Sequence, residues 1–207
     1  MRISKPPGER RAELVAAARQ LFDEKGVDKT RVSDIVARVG VAQGVFYYYF
    51  ASKEEMVNCV VQQVAGEVDE DAQAILQDDA TPYCEKVARF IELFLDVVDK
   101  FLGDEETQLF PVKNSPLARG SMGTLVARQL MGHLQVLVQQ GVDIGAITAA
   151  YPWPAAQVVV YGMWALAEQK LPPRRMIYAI AEQALGLPKG ELTALAGRAA
   201  PSNAGLP

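Results

Sequence analysis

Three observations predict an all-α fold with a small N-terminal head and a larger body. Apolar residues recur at spacings of three and four through most of the chain, for example over residues 14–22, 56–68, 87–102 and 176–185. Glycine and proline break these runs at Gly26, Gly40, Pro82 and Pro111, where turns between helices are expected. No stretch alternates apolar and polar residues as a half-buried strand would, and no internal repeat is present.

The chain has 207 residues, half of them hydrophobic, which suffices for a head joined to a larger core. The net charge of −4 does not by itself point to nucleic acid. Residues 1–55 hold 10 Lys/Arg against 8 Asp/Glu, whereas the remainder holds 11 against 17. The head is therefore basic relative to the body. Cys59 and Cys84 lie too far apart for a CxxC pair and fall in helical apolar patterns, so buried free thiols are expected. Residues 1–11 lack the apolar core of a signal peptide. The uncharged run 144–167 is interrupted by Pro152 and Pro154, which leaves about a dozen residues of clean apolar helix where a bilayer needs ~20. A soluble, cytoplasmic protein without membrane association is expected.

Residues 1–8, with Pro6, Pro7 and Gly8, read as a loose arm. Residues 9–25 form an amphipathic helix with Leu14, Val15, Ala18, Leu21 and Phe22 on one face, closed by Lys25 and Gly26. Thr30 is the expected N-cap of a second helix over 31–39, and Gly40 separates it from a third over 42–49. Ser52 with Glu55 forms a capping box that opens a long helix reaching about residue 76. Further helices are predicted over 83–102 and 117–142, with a polar loop over 103–115 between them and a connector over 143–154. A pair over 155–170 and 174–185 follows, then one short helix within 188–198 and a polar tail. The expected domains are residues 1–55, 56–200 and a tail over 201–207.

The most informative stretch is 30–53. Val32, Ile35, Val36 and Val39 mark one buried face, and Val41, Val45, Phe46 and Phe50 mark a second. Between them lies a surface of Gln43, Gly44, Tyr47, Tyr48 and Tyr49 with few carboxylates nearby. A surface so small and rich in hydrogen-bond donors suits a helix pressed into a DNA major groove. Gln43 can pair bidentately with adenine, Gly44 admits close approach, and a tyrosine hydroxyl can donate to a phosphate oxygen. Thr30, Arg31 and Ser33 cluster at the N-terminus of the second helix, and Lys53 opens the fourth, where an anion is favoured.

Residues 9–61 resemble the DNA-binding domain of the TetR (tetracycline-repressor-like) family of bacterial transcriptional regulators. The resemblance is carried by LFDEKG at 21–26, Thr30, DIVARVGV at 34–41, Gly44, FYYYF at 46–50 and SKEEM at 52–56. Arg31, Ala42 and Val45 stand where the family often has hydroxyl residues. The resemblance implies that Phe46, Tyr49 and Phe50 pack inside the head, that Tyr47 and Tyr48 face DNA, and that Lys53 contacts a phosphate. The DNA-binding set expected is thus Thr30, Arg31, Ser33, Gln43, Gly44, Tyr47, Tyr48 and Lys53. It further implies a homodimer through residues 155–170 and 174–185, double-stranded DNA carrying a palindromic operator as partner, and a small-molecule effector held in the body. Met122, His133, Tyr161, Met163 and Trp164 are candidate lining groups, and their character favours a hydrophobic or aromatic effector. The long fourth helix would couple effector to head spacing.

No G-x-S-x-G, P-loop or HExxH motif is present, and the single histidine lacks neighbouring ligands, so no enzyme, cofactor or metal is expected. The function expected is a ligand-responsive transcriptional repressor. The alternative is a helical interaction module of the same fold that has lost sequence-specific DNA binding.

Overall fold

A computed structural model describes residues 6–102, 116–167 and 172–196, with side chains over 6–98, 129–166 and 172–196. Among the described residues the chain forms helices α1 (Pro7–Lys25), α2 (Val32–Val39), α3 (Gln43–Tyr49), α4 (Lys53–Gln77), α5 (Tyr83–Leu102), α6 (Pro116–Asp143), α7 (Pro152–Ala167), α8 (Arg174–Leu185) and α9 (Glu191–Leu195), and no strand. The chain divides into two compact units, Met1–Glu67 with Asp99–Leu125, and Val68–Val98 with Val126–Pro207.

In the first unit α1 begins at Pro7, inside the expected arm. A proline at the first helical position needs no N–H and has φ already set, so it starts a helix rather than delaying one. Leu14, Val15, Ala17, Ala18, Leu21 and Phe22 form the buried face of α1. Gly26 ends it at φ 82°, with its N–H donating to Phe22 O at 2.8 Å. α2 is capped by Arg31, not by Thr30. The Arg31 backbone is extended and its N–H donates to Asp34 Oδ2 at 2.9 Å. The Thr30 side chain is turned inward instead. Gly40 adopts the left-handed conformation (φ 73°), and Val41 N–H reaches back to Val36 O at 2.9 Å, the Schellman pattern that stops α2 and redirects the chain into α3. α3 starts from Ala42, which has no side-chain atom to cap it. Phe46 and Phe50 are buried with ring centroids 5.4 Å apart. At the head of α4, Ser52 Oγ accepts from Glu55 N–H at 3.3 Å, while the Glu55 carboxylate reaches Ala51 N–H at 2.6 Å.

The second unit is built around buried helix-end contacts. Lys86, almost fully buried, donates from Nζ to Leu76 O at 3.1 Å, and Gln140 Nε2 donates to the same carbonyl at 3.3 Å. Both satisfy the C-terminal turn of α4, which has no glycine stop. Tyr178, with no exposed surface, donates to Glu92 Oε1 at 2.6 Å, and Arg174 pairs with the other oxygen of the same carboxylate. The Glu182 carboxylate accepts from Gly190 N–H at 2.7 Å and from the Thr193 amide at 3.0 Å. It therefore caps the short α9 from a distance in sequence. α7 begins at Pro152, three residues before the expected start. Pro152 and Pro154 both fall in its first turn, where amides have no intrahelical acceptor, so they do not interrupt the helix. Residues 168–171, part of the expected 155–170 helix, and the expected loop 103–115 lie outside the described residues. Among the described residues no helix is long and apolar enough to cross a membrane.

Candidate nucleic-acid interface and effector cavity

The exposed side of α3 carries Gln43 and Gly44 at its first turn and Tyr47 and Tyr48 beyond, 54% and 76% exposed. Tyr47 stacks edge-on against buried Phe46 with centroids 5.4 Å apart, and Tyr48 packs at a right angle to half-buried Tyr49 at 4.8 Å. Each hydroxyl is thus held out on a ring that the head itself orients. α3 contains no charged residue.

The cations of the head divide into two groups. Arg10, Arg19, Lys25 and Arg38 are each paired with a carboxylate, on Glu13, Glu67, Asp34 and Glu24 respectively. Two of these pairs tie α2 to α1: Lys25 Nζ meets Asp34 at 2.6 Å, and Arg38 grips Glu24 through two contacts of 2.8 and 2.6 Å. The Lys25 ammonium first, and then the Arg31 amide, hold the Asp34 carboxyl below the usual carboxylate range. Among the described residues Lys29 and Arg31, both exposed, and Lys53, half-buried, are in none of these ion pairs, and exposed Arg11 instead donates to Cys59 Sγ at 3.0 Å and lies over the Phe50 ring.

Of the expected contact residues, Arg31, Ser33, Gln43, Gly44, Tyr47 and Tyr48 are exposed and Lys53 is half-buried. Thr30 is different. It is 1% exposed, and its hydroxyl donates to Gly26 O at 2.7 Å, with Leu21 O at 3.2 Å. It ties the α2 entry to the end of α1 and offers no group outward. Asp34, Lys25, Glu24 and Arg38 were not identified from sequence as organisers of the head. The available signal was the pairing of a charged last turn on α1 with opposite charges on α2.

In the second unit α5, α6, α7 and α8 enclose a cavity of about 60 Å³. Its wall includes Tyr83, Phe90, Phe94, Leu137, Val159 and Met163, with further aliphatic side chains. Of the expected lining groups, Met163 is in the wall and 97% of its surface is covered. His133 is elsewhere, 2.7 Å from Asp69 Oδ1. Trp164 lies behind the wall against Phe94, with centroids 6.4 Å apart. Tyr161 is 60% exposed on the outer side of α7. The side chain of Met122 lies outside the described residues. Tyr161 and Trp164 are absent from the wall; the apolar residues of α7 run nearly all round it, so their pattern carries no phase for the inward side. α5 supplies the aromatic part of the wall through Phe90 and Phe94, which are not among the expected lining groups.

The outer side of α7 with α8 forms an open apolar groove lined by Tyr151, Val158, Gly162, Leu166, Ile180 and Ala184. Val159 and Met163 line this groove as well as the cavity, so a single layer of side chains separates the two. Among the described residues no group of three His, Cys, Asp or Glu could hold a metal ion. Cys84, pushed up to about 11 chiefly by burial, is a poor nucleophile.

Residues 14–60, from α1 into α4, match the family model described as "Bacterial regulatory proteins, tetR family". The similarity to that family lies in this segment, which is less than half of the chain. The relatives that match over this segment are named as helix-turn-helix transcriptional regulators and repressors. The uncharacterized regulator YvdT of Bacillus subtilis is 40% identical over 52 residues, 25% of this chain and 27% of that protein. The transcriptional repressor KstR2 of Mycobacterium tuberculosis is 42% identical over 57 residues, 28% of each. These matches thus span well under two thirds of either relative. The repressor DhaR of Mycobacterium sp. is 25% identical over 140 residues, 66% of this chain and 69% of that protein. The all-helical fold extends beyond the head. The RolR structure in complex with resorcinol superposes with a TM-score of 0.63 at 21% identity, over 93% of this chain and 95% of that one. The SmeT–triclosan complex gives 0.62 at 19% identity, over 96% and 99%.

Proposed function

We propose that this chain is a dimeric repressor that leaves a palindromic operator when a small hydrophobic effector enters the α5–α8 cavity. The exposed, carboxylate-free surface of α3, with Arg31 and Lys53 outside the ion pairs seen among the described residues, supports the DNA-binding half of this reading. Gln43 reads a base edge; Gly44 lets the helix approach; Tyr47, Tyr48, Arg31, Ser33 and Lys53 engage the backbone. Thr30 acts by positioning α2.

One helix-turn-helix head reads one half-site, so a palindrome calls for two chains. The proposed subunit interface is the stretch 155–170 with 174–185, whose described part is the apolar outer face of α7 and α8. In the isolated chain Val158 is 72%, Tyr161 60% and Met176 48% exposed. The small residues Gly162 and Ala165 permit close helix approach. The cavity supports the effector half of the reading, as do the aromatic ligands of RolR and SmeT, resorcinol and triclosan.

The test is binding of duplex fragments from DNA neighbouring the gene, followed by fluorescence anisotropy across a salt series. A dimer engaging about four phosphates through Arg31 and Lys53 of each head gives log Kobs falling against log salt with a slope of about −4. Absence of binding to every such fragment at low salt sinks the repressor reading and leaves the interaction module.

A further inference from the structure

We propose that Arg11, on α1, is a backbone-phosphate contact of the head, so that α1 grips DNA beside α2 and α4. This deepens the DNA-binding half of the reading above and rests on it.

Arg11 differs from the other arginines of α1 and α2 in what surrounds it. Arg10 meets Glu13, Arg19 meets Glu67 and Arg38 meets Glu24, so each of these guanidiniums is neutralised within the head. Exposed Arg11 is in no ion pair among the described residues. Its Nη2 donates to Cys59 Sγ at 3.0 Å, and its Cζ lies 5.0 Å from the centroid of the Phe50 ring. A thiol and an aromatic face orient a guanidinium without cancelling its charge. The carboxylates in the first turn of α4 are engaged in capping that helix. Glu55 accepts from Ala51 N–H at 2.6 Å, and Ser52 hydrogen-bonds Glu54. The remaining N–H groups of Arg11 are left for a bidentate acceptor such as phosphate.

The anchors of Arg11 fix where its charge sits. Phe50 is the C-cap of α3, and Lys53 opens α4 just beyond it. Arg11 therefore stands at the C-terminal end of the uncharged helix α3, at the corner where α4 begins. Arg31 lies at the other end of the motif, at the start of α2. A helix seated in the major groove has a phosphate strand along each edge, and contacts to both strands set its register. Arg11 and Lys53 take one strand, and Arg31 with Ser33 takes the other. The Arg11 side chain is also oriented before DNA arrives. Less freedom is lost on binding than for an unstacked lysine at the same position.

The experiment runs the anisotropy salt series on the full chain, comparing the parent with Arg11→Gln and Arg11→Lys. One further phosphate per head steepens the slope of log Kobs against log salt by about two in the dimer, from about −4 to about −6. Arg11→Gln should return the slope to about −4. The affinity ratio of parent to variant should then shrink by roughly tenfold between about 50 and 200 mM salt, on operator and unrelated duplex alike. Arg11→Lys keeps the charge and should keep the steep slope, while binding about 3- to 10-fold more weakly at every salt concentration. A merely structural Arg11 would lower thermal stability and affinity without moving the slope. An unchanged slope in Arg11→Gln overturns the proposal, and so does an Arg11→Lys slope as shallow as that of Arg11→Gln. If Arg11→Gln folds poorly, the unmodified chain decides. Saturating operator should shield Arg11 from phenylglyoxal, read by mass spectrometry, and undiminished modification overturns the contact. Operator binding with an unmoved slope sinks this contact alone. A parent chain that binds no duplex at low salt sinks the repressor reading and the contact with it.

Discussion

At the residue scale, Gly44 and Thr30 show two different reasons for a small or polar residue in the head. A Cβ at Gly44 would meet nothing within 4 Å. Gly44 is not in a left-handed conformation, so nothing in the chain itself requires glycine there. Within a helix glycine is destabilising by roughly 0.5–1 kcal/mol relative to alanine. Gly44→Ala is therefore expected to raise the thermal midpoint while weakening operator binding, measured by melting and anisotropy on one sample. Unchanged DNA affinity would remove Gly44 from the interface. Thr30 faces inward, and Thr30→Val should destabilise the head by about 1 kcal/mol by removing its buried hydroxyl hydrogen bonds. Its effect on DNA should follow from lost stability and be the same for every sequence. For the base-reading role, Gln43→Ala should relax preference by ~1–3 kcal/mol at one operator position, whereas Lys53→Ala should weaken all sequences alike. A change in sequence preference on Lys53→Ala would contradict that division.

At the element scale, α2 is a short helix that buries Ile35 and Val36 and is tied to α1 by two partly exposed ion pairs, Lys25–Asp34 and Glu24–Arg38. The Asp34 and Glu24 carboxyls are both held low, chiefly by their Lys25 and Arg38 partners. Their folded-state pKa values lie below those of the unfolded chain, so the stabilisation is fully present above the unfolded values of about 4. It is lost as pH falls through the folded values. Head stability should therefore be flat at neutral pH and decline below about pH 4. In Asp34→Asn that decline should be shallower, as followed by tyrosine fluorescence. α9 depends on a distant partner in the same way. Glu182→Ala removes its cap and should cost roughly 0.5–2 kcal/mol, seen as early loss of amide protection over residues 190–195.

At this scale the helices were largely readable in advance, because an amphipathic period and glycine stops are local properties. Gly26 and Gly40 end α1 and α2 as expected. The misplaced starts of α1 and α7 share one cause. Proline reads as a breaker in sequence, although at the first turn of a helix it costs nothing. The cap of α2 was misassigned because Thr30 has the right side chain for a cap, and only its neighbours turn that side chain inward.

At the scale of the whole molecule, the groove on α7 and α8 sets the central prediction about assembly. Val158 is 72% exposed in the single chain, so Val158→Arg should leave monomer stability within about 0.5 kcal/mol. In sedimentation at micromolar concentration the parent chain should run as a dimer, and the variant as a monomer with lost operator affinity. A parent chain that sediments as a monomer refutes the interface. The sequence by itself determined the all-α class, the order of helices and the exposed α3 surface, because period, stop signals and residue chemistry are carried locally along the chain. It did not determine which side of an all-round apolar helix faces inward. Only the packing of α5, α6 and α8 against α7 decided that Met163 lines a cavity while Tyr161 lies outside. Only tertiary contacts decided which head cations are neutralised, as Lys25 is by Asp34 and Arg38 by Glu24, and which, such as Arg31 and Lys53, are in no ion pair among the described residues. Both outcomes depend on partners far apart in sequence, and no local pattern encodes them.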